Sequence, residues 1–144
     1  MTRIYTIGYE QTTMAEFIGA LQGAGVEQVI DVRAVPLSRR PGFSKNVLAA
    51  SLKEAGIGYV HLKALGTPKE GRDAAKKGDK ATLRRVYDVQ LGLPEAQAQA
   101  AAMRALAADK ISVLLCFERD PLTCHRTLLL TAEGEGFERV DLYP

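Results

Sequence analysis

Ile111-Ser112-Val113-Leu114-Leu115-Cys116-Phe117 decides the fold. This nearly unbroken apolar run has the pattern of a β-strand covered on both faces, as strands of parallel sheets are. Upstream, Ile4-Tyr5-Thr6-Ile7 is a short β-prone run closed by Gly8, and residues 26–32 and 57–62 read as two further strands. Downstream, residues 137–142 read as a last short strand. Helical stretches separate them. Thr12 or Thr13 caps the first, and Glu16 lies three positions beyond Thr13, the spacing of a capping box. Asn46 is the expected cap of a helix over 47–55, where Val47, Leu48 and Leu52 recur at helical spacing and Gly56 ends the run. Leu83, Val86 and Tyr87 suggest one helical turn. Pro94 opens an alanine-rich helix to Asp109, with Met103 and Leu106 as its packing edge, and residues 124–130 are helical again. Residues 66–79 hold a Thr-Pro pair, two glycines and many lysines, which makes them either a functional flap or partly helical.

Strand and helix alternating with short connections imply right-handed crossovers. The expected architecture is a single three-layer α/β domain over residues 1–144. Its mostly parallel sheet has about five strands, with helices on both faces. A length of 144 residues suits one domain with one substantial core, and 47% hydrophobic against 25% charged residues excludes a disordered or fibrous chain. No apolar run approaches the ~20 residues of a membrane-spanning helix, and no leader is expected before the first strand. Two cysteines do not make a disulfide framework, so the expected setting is reduced and cytoplasmic.

The net charge of +2 hides an asymmetry. Arg33, Arg39, Arg40 and Lys45 stand in a stretch without an acid, and residues 63–85 carry eight basic residues against Glu70, Asp73 and Asp79. Such segregation suits either solvated loops or a basic face toward an anion or nucleic acid.

Parallel α/β sheets bind ligands beyond the carboxyl ends of their strands. That edge collects Tyr9, Asp31 with Arg33, Ser38 with Arg39, His61, and Cys116 with Glu118. The start of the last helix adds Cys124, His125 and Arg126. Asp31 and Arg33, two apart, lie on one side of a strand, where they either pair with each other or meet a ligand. Arg33, Ser38, Arg39 and Arg126 are the expected anion holders, since guanidinium forks match phosphate and carboxylate. Glu118, His125 and Cys116 are the candidate catalytic groups, with Tyr9, Asp31, His61 and Cys124 around them. Cys116 is either an inert buried thiol or one activated by a cation or a helix N-terminus. Asp120 is the expected cap of the last helix, with Pro121 in its first position. Cys124 and His125 are adjacent, whereas ligand pairs are normally spaced so that both turn inward, so no metal is expected. No dinucleotide, Walker or nucleophile-elbow pattern is present, and no cofactor is expected.

Read in order, Tyr5-Thr6-Ile7-Gly8-Tyr9, Asp31-Val32-Arg33 with Pro36 and Ser38-Arg39, Gly58-Tyr59-Val60-His61-Leu62 with Leu65-Gly66, and Leu115-Cys116-Phe117-Glu118 with Asp120-Pro121 and Cys124-His125-Arg126 form a familiar set. It resembles the Domain of Unknown Function 488 family over nearly the whole chain. The resemblance implies a small α/β fold and brings no activity or cofactor. Two departures stand out: Gln11 where the family often shows Gly after Tyr-Glu, and Thr67 where it shows a second Gly. Asp31-Val32-Arg33 followed by a strand-ending Cys116 is also similar to a rhodanese-type sulfurtransferase. In that family the cysteine begins a tight loop whose amides surround it. Here seven residues, including a proline and lacking the usual glycine, separate Cys116 from Cys124.

Three functions fit these residues. The first is an anion pocket for phosphate or a nucleotide fragment, with turnover of a phosphorylated substrate. The second is a nucleotide or nucleic-acid binding module without turnover, and the third a cysteine-dependent enzyme. The expected partner is an anionic small molecule or nucleic acid, not a membrane.

Overall fold

A computed structural model describes residues 2–144. Its sheet has five strands: β1 (Thr2–Gly8), β2 (Gln28–Asp31), β3 (Gly58–His61), β4 (Ser112–Cys116) and β5 (Phe137–Leu142). Their order is β3-β2-β4-β1-β5, and every pairing is parallel. All five residues of β4 are buried, as its unbroken apolar run demands of a central strand. Successive side chains then feed opposite faces. Leu114 joins Ile4 and Ile30 in one core, while Val113 and Leu115 join Ile7 and Val29 in the other. The first core is closed by α4 (Lys80–Leu91), α5 (Pro94–Asp109) and α6 (His125–Glu133), which supply Tyr87, Met103 and Leu129. The second is closed by α1 (Met14–Gly23) and α2 (Lys45–Glu54), which supply Phe17, Leu21, Leu48 and Leu52. The result is a three-layer α/β domain. No helix among the described residues is long and apolar enough to cross a membrane.

The capping box forms as the spacing predicts: Glu16 N–H donates to Thr13 Oγ1, and Thr13 N–H donates back to the Glu16 carboxylate. Two local expectations, the caps at Asn46 and Asp120, are corrected, and of the two alternatives for residues 66–79 the helical one holds. The residue before α2 is Ser44 rather than Asn46, and its hydroxyl is spent on the preceding loop, accepting from Ser38 N–H and donating to Ser38 O. Residues 66–79 contain a true helix, α3 (Lys69–Lys76), packed on α4. Gly71 inside it looks like a breaker. A Cβ there would lie 2.5 Å from Thr67 Cγ2 and 3.3 Å from Val86 Cγ1, so glycine is what lets α3 sit close. Asp120 caps only a 3₁₀ turn, Pro121–Thr123, and α6 begins later with Cys124 as its cap.

Gln11 has φ 56°, the left-handed region that favours glycine, at the position where the family resemblance expects Gly. Gln11→Gly is therefore expected to raise stability by up to ~1 kcal/mol, since a left-handed L-residue costs roughly 1–2 kcal/mol and glycine gives part of that back as chain entropy. Thermal melting checks it: the glycine variant should melt a few degrees higher, and a lower Tm would mean that Gln11 gains more from its loop than its backbone loses.

Candidate functional site

The strand order sets the exits of β2, β4 and β1 side by side. The β1 and β4 exits are laced together. Glu10 N–H donates to Phe117 O at 2.9 Å, and Arg119 N–H donates to Glu10 Oε1 at 3.2 Å. Approach is closest at Gly8, where a Cβ would fall 1.8 Å from Glu118 O. Only glycine permits that contact.

Beside this junction lies a cavity of about 770 Å³. Tyr9, Arg33, Ser38, Arg39, Cys116, Glu118 and His125 line it, as the sequence placed them, whereas Asp31, His61, Cys124 and Arg126 do not. Four further charged residues are on the wall: Glu10 just past the β1 exit, Arg40 from the basic stretch after β2, and, missed by sequence reading, Arg72 with Lys76 from α3. The signal for the last two was the basic excess of residues 63–85, but their shared face shows only once α3 is a helix, where positions four apart are neighbours.

Asp31 and Arg33 pair with each other. The carboxylate is fully buried and takes Arg33 Nε at 2.9 Å and Nη2 at 2.8 Å, while Tyr59 OH donates to the same carboxylate at 2.5 Å. Arg33 Nη1 donates to Phe43 O at 2.7 Å, tying down the loop that follows β2. Burial works against the Arg33 charge, but the Asp31 partner outweighs it and the guanidinium is held more firmly protonated than usual.

Arg126, expected to hold an anion, lies under the cavity floor and is fully buried. Its Nη1 donates to Glu118 O at 2.6 Å and to Cys116 Sγ at 2.8 Å, and Nη2 donates to Arg119 O at 3.1 Å. Nε, also buried, has no hydrogen-bond partner among the described residues. Burial lowers the pKa of the guanidinium. Glu118, on the cavity wall, has its carboxyl pushed up by burial and by Glu10, with Arg126 opposing.

Both histidines are pinned through Nε2. His61 bonds to Arg33 O at 2.7 Å and His125 to Val32 O at 2.7 Å. A carbonyl only accepts, so Nε2 carries the proton. Burial pushes His125 down to about 4, against the carbonyl contact that favours its charged form. His125 is thus neutral near pH 7, with the Nδ1 lone pair 3.8 Å from Cys124 Sγ.

The expectation of two reduced cysteines is corrected: Cys116 and Cys124 are joined as a disulfide, S–S 2.05 Å. The adjacency argument against a ligand set also fails on geometry. Cys124 is in extended backbone at the cap while His125 starts the helix, so both turn inward. The donor atoms of Cys116, Cys124 and His125 lie within 4.8 Å of one another. With the sulfurs bonded to each other, the set is not offered to an ion. The rhodanese likeness finds no such loop here either: a 3₁₀ turn intervenes between Cys116 and α6, and a guanidinium lies against the Cys116 sulfur.

The chain is thus a parallel α/β domain whose polar residues gather around one cavity at the carboxyl edge of its sheet. Residues 13–132 match the family described as Domain of unknown function DUF488, and the chain belongs to that family. No curated protein and no solved structure matches it.

Proposed function

We propose that the cavity binds a small anionic molecule carrying phosphate or carboxylate groups, in the cytoplasm, with Glu118 as the group that handles a proton if turnover follows. One observation carries this reading. Arg40 donates through Nε and Nη2 to Thr12 O (3.0 and 2.6 Å), and Arg72 donates through Nη1 to Thr67 O (2.9 Å). Both guanidiniums are thereby fixed in place by carbonyls rather than carboxylates, so their charge is positioned and not neutralised. Arg39 and Lys76 add two cations that make no hydrogen bond or ion pair among the described residues. Five cations thus line the wall, Arg33 already paired with Asp31, and among the described lining residues only Glu10 and Glu118 oppose the other four. A raised carboxyl on Glu118 suits a proton donor toward a leaving oxygen.

Thermal shift with orthophosphate, nucleoside phosphates and dicarboxylates tests it. At least one should raise Tm, by the equivalent of ~2.7 kcal/mol at about 100 times its Kd. Arg72→Gln should weaken that ligand by roughly 1–3 kcal/mol, the scale of a charge-assisted hydrogen bond. If no small anion shifts Tm while an oligonucleotide binds with a steep salt dependence, the nucleic-acid reading replaces this one.

A further inference from the structure

We infer that Cys116 and Cys124 are a redox-active dithiol that exchanges with a low-molecular-weight disulfide carrying carboxylate or phosphate groups, admitted through the cationic cavity. The substrate class rests on the anion reading above; the thiol chemistry rests on the geometry beneath the cavity.

Four observations assign the roles. First, both sulfur-bearing residues are buried, but Cys116 lines the cavity and Cys124 does not, so Cys116 is the one facing a ligand held there. Second, Arg126 is fully buried, makes no ion pair among the described residues, and places Nη1 2.8 Å from Cys116 Sγ. A buried cation with no carboxylate in ion-pair contact is costly, Asp141 and Glu118 acting on it only from a distance, and a Cys116 thiolate supplies a charge in contact when the pair is reduced. The same contact favours the thiolate, which is the nucleophile. Third, Cys124 caps α6 and accepts Arg126 N–H at 3.5 Å, with the lone pair of His125 Nδ1 at 3.8 Å to receive its S–H. Fourth, the two sulfurs sit within bonding reach across a loop of only a few residues. In a reducing compartment a disulfide so placed is of the transient, catalytic kind rather than a structural staple.

The step balances. The Cys116 thiolate attacks one sulfur of R–S–S–R, forming a mixed disulfide and expelling RS⁻. The Cys124 sulfur, giving its proton to the expelled RS⁻ or to solvent, then attacks the Cys116 sulfur. The protein disulfide forms and a second RS⁻ leaves. Two protein thiols are oxidised, one substrate disulfide is reduced, and the protons end on the released thiols. The reverse sequence uses two thiols to reopen the pair.

The experiment uses the reduced full-length chain with oxidised glutathione as the anionic probe and bis(2-hydroxyethyl) disulfide as the uncharged one, followed by intact mass. The wild type should consume the anionic probe, end as the internal disulfide and release two thiols per chain. Cys124→Ser should stop at a mixed disulfide on Cys116, and Cys116→Ser should form none near neutral pH. The anionic probe should react roughly tenfold faster or more, an advantage that salt erodes and Arg39→Gln reduces, as for electrostatic steering into a charged cleft. A mixed disulfide on Cys124 in the Cys116→Ser chain overturns the assignment. So does a wild type that reacts no faster than free cysteine, or a purified chain whose two thiols are held by stoichiometric zinc. Equal rates with both probes would remove the anionic substrate class and count against the cavity reading alone. Inert thiols in a chain whose Tm still rises with anions would sink the dithiol and leave anion binding standing.

Discussion

Asp31→Asn is expected to remove roughly 3–5 kcal/mol of stability, the usual cost of breaking a buried ion pair from one side. Asn keeps the shape of Asp31 and loses its charge. The Arg33 guanidinium, side chain 6% exposed, would then lie desolvated with no counter-ion. Tyr59 OH and Arg33 N–H would also lose a charged acceptor. The damage should spread to the loop after β2, because Arg33 Nη1 holds Phe43 O and Phe43 stacks on Tyr9 with ring centroids 4.6 Å apart. Urea unfolding measures the loss, which is a large part of the ~5–15 kcal/mol that holds a domain of this kind. The double variant Asp31→Leu with Arg33→Met is the control. Removing both charges leaves no orphan, so it should recover a substantial fraction of the loss. If single and double variants are equally unstable, the pair matters for its hydrogen bonds to the loop and not for its charge.

The fold was legible where local chemistry and burial agreed. The run at residues 111–117 became the central strand, Pro94 and Asp109 are the observed bounds of α5, and Thr13 with Glu16 closes α1. α3 was only half legible because its lysines and Gly71 argue locally for a loop, while the reason for Gly71 is contact with Thr67 and Val86. The candidate site divides the same way. The strand-exit rule found the edge, and seven of the eleven residues it named line the cavity. It failed for Arg126 and Cys124 because the chain between β4 and α6 takes a 3₁₀ turn at Pro121–Thr123, which turns both residues beneath the floor. Spacing along a sequence carries no sign of that rotation. The disulfide was missed for a related reason: counting two cysteines speaks to frameworks, whereas pairing depends on where an irregular loop returns.

Arg126→Lys separates a guanidinium that builds the site from one that binds a ligand. The fork suggested an anion clamp, for which lysine would cost affinity and leave the fold alone. The geometry reverses that expectation. Arg126 spans Glu118 O and Arg119 O with two different nitrogens, and those carbonyls belong to the loop that Gly8 packs against. A lysine ammonium is a single point, so it satisfies one carbonyl and leaves the other, part-buried, without its donor, while its own desolvation remains. The expected loss is ~2–4 kcal/mol, each unsatisfied buried group costing about 1–3 kcal/mol. For a chain of this length that is a fall of roughly 5–15 °C in Tm. Affinity for whichever anion the cavity takes should change little in the fraction that is folded, since Arg126 is not on the wall. The loss should also be larger with the cysteines reduced than oxidised, because a Cys116 thiolate then forfeits the Nη1 donor held 2.8 Å from it. A lysine variant that melts like the wild type but binds anions poorly would mean that the guanidinium reaches the cavity in solution and that another group holds the Glu118–Arg119 loop.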